Sequence, residues 1–259
     1  MTFTFRDGPT IPRIGMGVMR LTGQPGNFGP YPDWDAGVAL LRAAADAGVA
    51  LFDSARAYGP RHADRILGEA LGDRADVMLA TKGGIDKASP TDLRRDASPD
   101  TLERQIDEAL EDLGRIDLFQ LHWVDPDVPL ERSVEAMARA REDGRIGLIG
   151  LSNVTAEELA RAEAVAPIAS VQNRLNMGEA EGEAMVRLTA EKGIAFLPYG
   201  PLGAAPMRHG AKLDPGAALR WLRDLSPNVI PIPGTTSDAH MRANVSALGG
   251  DGATGGPRG

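Results

Sequence analysis

Four side chains of complementary chemistry stand at intervals along this chain: Asp53, Tyr58, Lys82 and His122. A phenol with the ordinary pKa of about 10 is a poor proton donor to a carbonyl at neutral pH. A neighbouring ammonium favours the phenolate and lowers that value, and a carboxylate holds the ammonium and offsets the cost of burying it. Tyr58 as general acid, Lys82 as its electrostatic partner and Asp53 as counter-ion therefore make a complete device for protonating a carbonyl oxygen. His122 adds a hydrogen bond where negative charge develops. Singly, each residue has a structural explanation. Asp53 and Lys82 can be a buried ion pair, His122 a satisfied histidine at a strand end, and Tyr58, two residues before Pro60, a packing residue. Jointly they favour catalysis, because strongly interacting titratable groups gathered in one place mark functional sites.

The elements that would gather them are legible in the alternation of short apolar runs with longer amphipathic stretches, the rhythm of βαβ units and a parallel sheet. A hairpin is expected from 3–5 and 11–14 around the turn residues Asp7, Gly8 and Pro9. Strands are expected at 14–18, 50–54, 77–82, 118–122, 146–152, 169–173, 194–199 and 229–233. Helices are expected at 36–47, 63–71, 99–113, 133–142, 156–165, 179–191, 215–225 and 237–248. Eight of each in strict alternation is the count of a closed (β/α)8 TIM barrel of the α/β class, whose chemistry sits where the strands end. The competing doubly wound sheet would show G-x-G-x-x-G between an early strand and a helix. The nearest match, Gly15-Met16-Gly17-Val18-Met19-Arg20, lacks the third glycine and runs into a Pro/Gly-rich loop. Residues 1–248 are expected to form one barrel domain, and the glycine-rich 249–259 a disordered tail.

Of the 259 residues, 42% are hydrophobic and 25% charged, ordinary values for a chain that buries a sizeable core. With no cysteine there are no disulfides, thiolate nucleophiles or zinc–cysteine sites. A net charge of −8 argues against nucleic-acid binding. No signal peptide or membrane span is read from the sequence, so a soluble cytoplasmic protein, monomeric or weakly homo-oligomeric, is expected.

The motifs at the strand ends resemble those of the aldo-keto reductases. They are Asp53 to Tyr58-Gly59, Thr81-Lys82, Leu121-His122, Gly150-Leu151-Ser152-Asn153, Pro198-Tyr199-Gly200-Pro201-Leu202-Gly203 and Ile232-Pro233-Gly234-Thr235. They arrive in order from about residue 14 to 248. Within the family the run is most similar to bacterial pyridoxal-reductase-like members, through NFGP, IGLSNVT, SPNVIPIPGTTSDAH and RANV. The resemblance implies that Asp53, Tyr58, Lys82 and His122 are a catalytic tetrad. It implies that Ser152, Asn153 and Gln172 hold a nicotinamide carboxamide and that Tyr199 stacks on the ring. Pro201, Leu202, Gly203, Gly234, Thr235, Thr236, His240 and Asn244 would complete the cofactor site. The activity implied is NADPH-dependent reduction of an aldehyde or ketone, without a metal and with NADH as a possible substitute. Met19, Arg20, Trp123 and the 203–212 loop are candidate substrate contacts. On structural grounds alone, Ser152 and Asn153 can instead cap the following helix, and Tyr199 and Trp123 can be rim-packing aromatics.

Two features depart from the family pattern. The short stretch from Gly200 to Asp214 and the end of the chain leave no room for the family's two extra helices, which predicts an open, wetter site. Gly234 and His240 also stand where many members carry a lysine and an arginine for the 2′-phosphate. Thr235, Thr236, the helix start at Ser237 and the charge of His240 or Arg242 must then suffice. A cofactor-binding sensor of weak turnover, and a biosynthetic enzyme using the same residues for a non-redox step, are the alternative functions.

Overall fold

A computed structural model of the chain describes residues 1–178, 182–202 and 214–249. An antiparallel hairpin, β1 (Thr2–Thr4) and β2 (Thr10–Pro12), comes first. The central sheet then takes in β3 (Gly15–Gly17), β4 (Leu51–Asp53), β5 (Met78–Gly83), β8 (Leu118–Leu121), β9 (Leu148–Ser152), β10 (Ser170–Gln172) and β11 (Ala195–Phe196). All pair in parallel, in the order β11-β10-β9-β8-β5-β4-β3. Helices α1 (Trp34–Asp46), α2 (His62–Leu71), α3 (Pro99–Leu113), α4 (Leu130–Glu142), α5 (Ala156–Glu163), α6 (Glu183–Glu191), α7 (Pro215–Leu225) and α8 (Asp238–Ala247) intervene.

The sheet closes on itself. Residues 229–234 lie between the two edge strands, with parallel bridges Phe196↔Val229 and Gly17↔Gly234. The Gly15 and Gly17 amides donate to the Pro231 and Pro233 carbonyls at 3.1 and 3.3 Å. The expected eighth strand is therefore in place, and it is irregular because Pro231 and Pro233 have no N–H to donate. The expected (β/α)8 TIM barrel is formed.

Alternation along the strands sorts the side chains. Phe52, Leu79, Phe119, Ile149, Val171 and Phe196 point outward into the layer beneath the helices. Leu51, Met78, Leu118, Leu148, Ala195 and Ile230 point inward and pack with Phe5 and Ile11 of the hairpin, which plugs the N-terminal end. Towards the C-terminal end the inward positions become polar. The opening hairpin pairs 2–4 with 10–12, slightly short of the expected span. Helix α4 begins at Leu130, three residues before the expected start. A second hairpin, β6 (Ile85–Lys87) and β7 (Leu93–Arg95), was not foreseen. The expected start of the sixth helix at 179, the short insertion before α7 and the tail fall wholly or largely outside the described residues. No described helix is long and apolar enough to cross a membrane.

Candidate active site

The residues forming the site share one parity on neighbouring strands. Register pairs Asp53 with Ala80, Lys82 with Gln120, Gln120 with Gly150 and Ser152 with Gln172, all inward. The Lys82 ammonium donates to Asp53 Oδ2 and to the Ser54 carbonyl, both at 2.7 Å. Asp53 Oδ1 accepts from the amides of Gln172 at 2.8 Å and Gln120 at 3.2 Å. The ammonium lies 5.2 Å from the centre of the Tyr58 ring. His122 meets that ring edge-on, with centroids 5.9 Å apart. The four residues expected to act together are thus gathered at one end of the barrel.

Tyr58 is fixed by its loop. Its amide donates to the Ala55 carbonyl at 2.9 Å, and its carbonyl accepts from Ala63 at the start of α2. Gly59 follows with φ +83°, and a Cβ there would stand 2.8 Å from His62 Cβ and 2.9 Å from the Gly29 carbonyl. Only glycine fits this crossing of two loops.

Burial pushes the Tyr58 phenol above its usual pKa; Lys82 pulls it down without prevailing, and Asp53 adds to the rise. This corrects the expectation of a lowered phenol: desolvation outweighs an ammonium whose charge Asp53 already balances. Burial also opposes the Lys82 charge, but Asp53 and Tyr58 outweigh it and its pKa ends above the ordinary value. His122 is held well below the usual imidazole range, by burial first and Lys82 second. It is therefore neutral at pH 7, and its buried Nδ1 has no partner.

Above these groups opens a cleft of about 510 Å³ lined by Tyr58, His122, Ser152, Asn153, Gln172, Tyr199, Pro201, Leu202 and Gly234, together with Met19, Arg20 and Trp123. The volume is that of a small-molecule site. Ser152 Oγ donates to the Gln172 carbonyl at 2.9 Å. Asn153 adopts φ 58°, donates to the His122 carbonyl and Ser152 Oγ, and accepts the Tyr199 hydroxyl at 2.7 Å. Neither residue caps α5; Thr155 does so through a reciprocal capping box with Glu158.

Thr235, Thr236, His240 and Asn244 are not among the residues lining this cleft. Thr235 is buried and caps the Ser237 amide at 3.1 Å, Ser237 caps the His240 amide, and His240 and Thr236 are exposed. Thr235 and Asn244 line a narrow crevice beside α8. Arg242 is paired with Asp238 at 2.8 Å. Gly203 and the rest of the 203–212 loop lie outside the described residues.

Three residues escaped the sequence reading. Gln120, on β8, stands two positions before His122, which directly follows that strand, so parity alone assigns it to the site. Arg174, just beyond β10, lines the cleft. Arg95, at the end of the unforeseen hairpin, stacks 4.4 Å from the Trp123 ring, and nothing local announces it.

The aldo/keto reductase family model matches residues 13–215, and the chain belongs to that family of oxidoreductases. It is 35% identical to pyridoxine 4-dehydrogenase of Escherichia coli, over 92% of this chain and 90% of the other. An uncharacterized oxidoreductase of Schizosaccharomyces pombe is 33% identical over 92% of this chain and 82% of its own length. Among solved structures, a glycerol dehydrogenase of Gluconobacter oxydans superposes with a TM-score of 0.84 at 25% identity, covering 96% of this chain and 90% of the other. A Klebsiella pneumoniae aldo-keto reductase in complex with NADPH gives 0.81 at 25%, covering 95% and 89%.

Proposed function

We propose that this protein reduces an aldehyde or ketone to an alcohol, with NADPH as hydride donor and Tyr58 as proton donor. The observation that carries the reading is that Tyr58, Asp53 and His122 line the same cleft as Ser152, Asn153, Gln172 and Tyr199, with the buried Lys82 ammonium bonded to Asp53.

The second set of residues fits a nicotinamide. Gln172 spends its NH2 on Asp53, leaving its carbonyl oxygen as an acceptor, while Tyr199, Pro201 and Leu202 offer an aromatic and apolar seat. Bound there, NADPH supplies the hydride for the carbonyl carbon. Tyr58 gives its proton to the carbonyl oxygen, completing the alcohol, and recovers one from solvent. At rest the buried phenol stays protonated and is ready to act as an acid. Once it has given up the proton, the nearby ammonium stabilises the phenolate. Neutral His122 offers a ring N–H to the oxygen as charge develops. Asp53 holds Lys82 in place.

The far end of the cofactor is less well provided for. Thr235 and Ser237 spend their hydroxyls on the start of α8, and Asp238 adds a negative charge beside Arg242. Exposed Thr236 and His240 remain for a 2′-phosphate, so NADH should also serve. A small carbonyl compound is the substrate class, with pyridoxal a candidate supported by the relationship to pyridoxine 4-dehydrogenase. Following NADPH oxidation against pyridoxal and aromatic aldehydes tests this. Tyr58→Phe should lower kcat by about 100-fold or more; unchanged turnover in that variant would sink the mechanism.

A further inference from the structure

Of the lysines and arginines among the described residues, Arg20 is the one with no hydrogen bond, ion pair or ring contact. The others are all engaged, from the Arg56, Arg61 and Arg104 ion pairs to Lys87, which holds the Gly26 and Asn27 carbonyls. The chain carries 36 acidic residues against 28 basic ones, so carboxylate partners abound. This guanidinium is left unpaired, and it lines the cleft that holds Tyr58 and His122.

Its mount is firm. Arg20 lies in a turn closed by the Leu21 amide donating to the Val18 carbonyl at 2.8 Å, and the Val18 amide donates to the Asp53 carbonyl at 3.0 Å. The intervening Met19 carbonyl accepts from Thr22 Oγ1 at 2.8 Å and Gln24 Nε2 at 3.3 Å. Val18 and Leu21 are fully buried on either side, while Arg20 is exposed. An arm whose backbone is already ordered loses less entropy when its head group finds a partner. A planar guanidinium recognises carboxylate or phosphate oxygens in paired fashion.

We propose that Arg20 receives an anionic group, carboxylate or phosphate, carried by the carbonyl substrate, so that the preferred reactants are anionic aldehydes or ketones. The inference rests on the carbonyl-reductase reading above, and its test separates the two. With saturating NADPH, compare 4-formylbenzoate and neutral 4-methylbenzaldehyde in the parent protein, Arg20→Gln and Arg20→Lys. In Arg20→Gln, KM for the carboxylate should rise by about 10-fold or more at unchanged kcat, with Arg20→Lys intermediate. Values for 4-methylbenzaldehyde and the affinity for NADPH should stay put. Salt should raise KM for the carboxylate alone. Equal changes with both aldehydes, or no change, would overturn the proposal. So would a weakened NADPH affinity that accounts for the loss, since the guanidinium would then serve the cofactor's phosphates. If neither aldehyde is turned over by the parent protein, the reductase reading fails. Fluorescence titration of the NADP+ complex with 4-formylbenzoate then still reads Arg20: weaker binding in Arg20→Gln supports the assignment, and unchanged binding refutes it.

Discussion

The Asp53–Lys82 pair invites a double-mutant cycle, because each partner is buried and each answers to different neighbours. The side chains are 4% and 0% exposed and 2.7 Å apart. Replacing Asp53 by Leu leaves the ammonium with only neutral neighbours, the Ser54 carbonyl and the Tyr58 phenol, and strips the Gln120 and Gln172 amides of a shared acceptor. Breaking a buried pair costs about 3–5 kcal/mol, and each orphaned amide adds about 1 kcal/mol or more. Lys82→Met leaves a carboxylate that two amides still hold, so about 3 kcal/mol is expected. The double variant removes both charges and should lose less than the sum, with a coupling of about 2–3 kcal/mol. The pH window follows from the direction of the Lys82 shift. A pKa raised in the folded state contributes stability that is fully present below the unfolded value, about 10.4, and is lost as pH rises through the folded value. Neutral pH therefore shows the whole effect. Urea unfolding followed by far-ultraviolet circular dichroism and tryptophan fluorescence measures it, given coincident transitions. Additive single costs, within about 0.5 kcal/mol, would refute the claim that the two charges depend on each other.

Two further outcomes follow from groups whose titration the fold displaces. Asp64 on α2 is fully buried, shares the Thr81 hydroxyl proton between its two oxygens at 2.9 and 3.1 Å, and is pushed up to about 6, chiefly by burial. The folded state thus holds its proton more tightly, and stability falls as pH rises from about 4 to about 6, by at most about 3 kcal/mol. Asp64→Asn should gain about 1–3 kcal/mol over the parent near pH 8 and lose that advantage near pH 4, read from urea midpoints; an equal effect at both would dismiss the assignment. His122, with its pKa lowered well below the ordinary value, should put no inflection near pH 6.5 into the rate, and His122→Gln, a neutral donor, should outperform His122→Ala. An inflection there that vanishes in His122→Gln would show that the imidazole is charged.

Much of the fold was legible because barrel strands declare themselves by apolar runs and helices by their caps. Ser98 and Pro99 open α3, and Gly114 closes it in the left-handed conformation. The strand at 229–233 was legible from its apolar content, although its prolines leave it only bridges. Asp53, Lys82 and His122 could be placed together because parity and strand order are properties of the chain itself. What escaped depends on loops. The 85–95 hairpin is tied by Asp86 to Arg56 at 2.7 Å and by Lys87 to the 26–27 carbonyls. Those partners are distant in sequence, so no local pattern foretells the position of Arg95 over Trp123. The direction of the Tyr58 shift was misjudged for a similar reason: the proximity of an ammonium can be read from a strand pattern, whereas desolvation depends on what covers the ring.

The middle layer of the barrel binds residues of β4, β5, β8 and β10 into one hydrogen-bonded network. Asp53 is bonded at once to Lys82, Gln120 and Gln172, and Gln120 accepts from Ser170 at 3.3 Å. A carboxylate that served only to balance Lys82 would need neither glutamine. Here its second oxygen holds the amide nitrogen of Gln172, a residue that itself lines the cleft. The same anion ties the Lys82 ammonium, beside the Tyr58 ring, to the Gln172 amide. Below this layer the inward positions are apolar and sealed by Phe5, so neither group can relax downward. The spacing of Lys82 and Gln172 is then set by strands, whereas Tyr58 is held by its own loop, so the loops carrying Tyr58, Arg20 and Arg95 are left to differ without disturbing that frame.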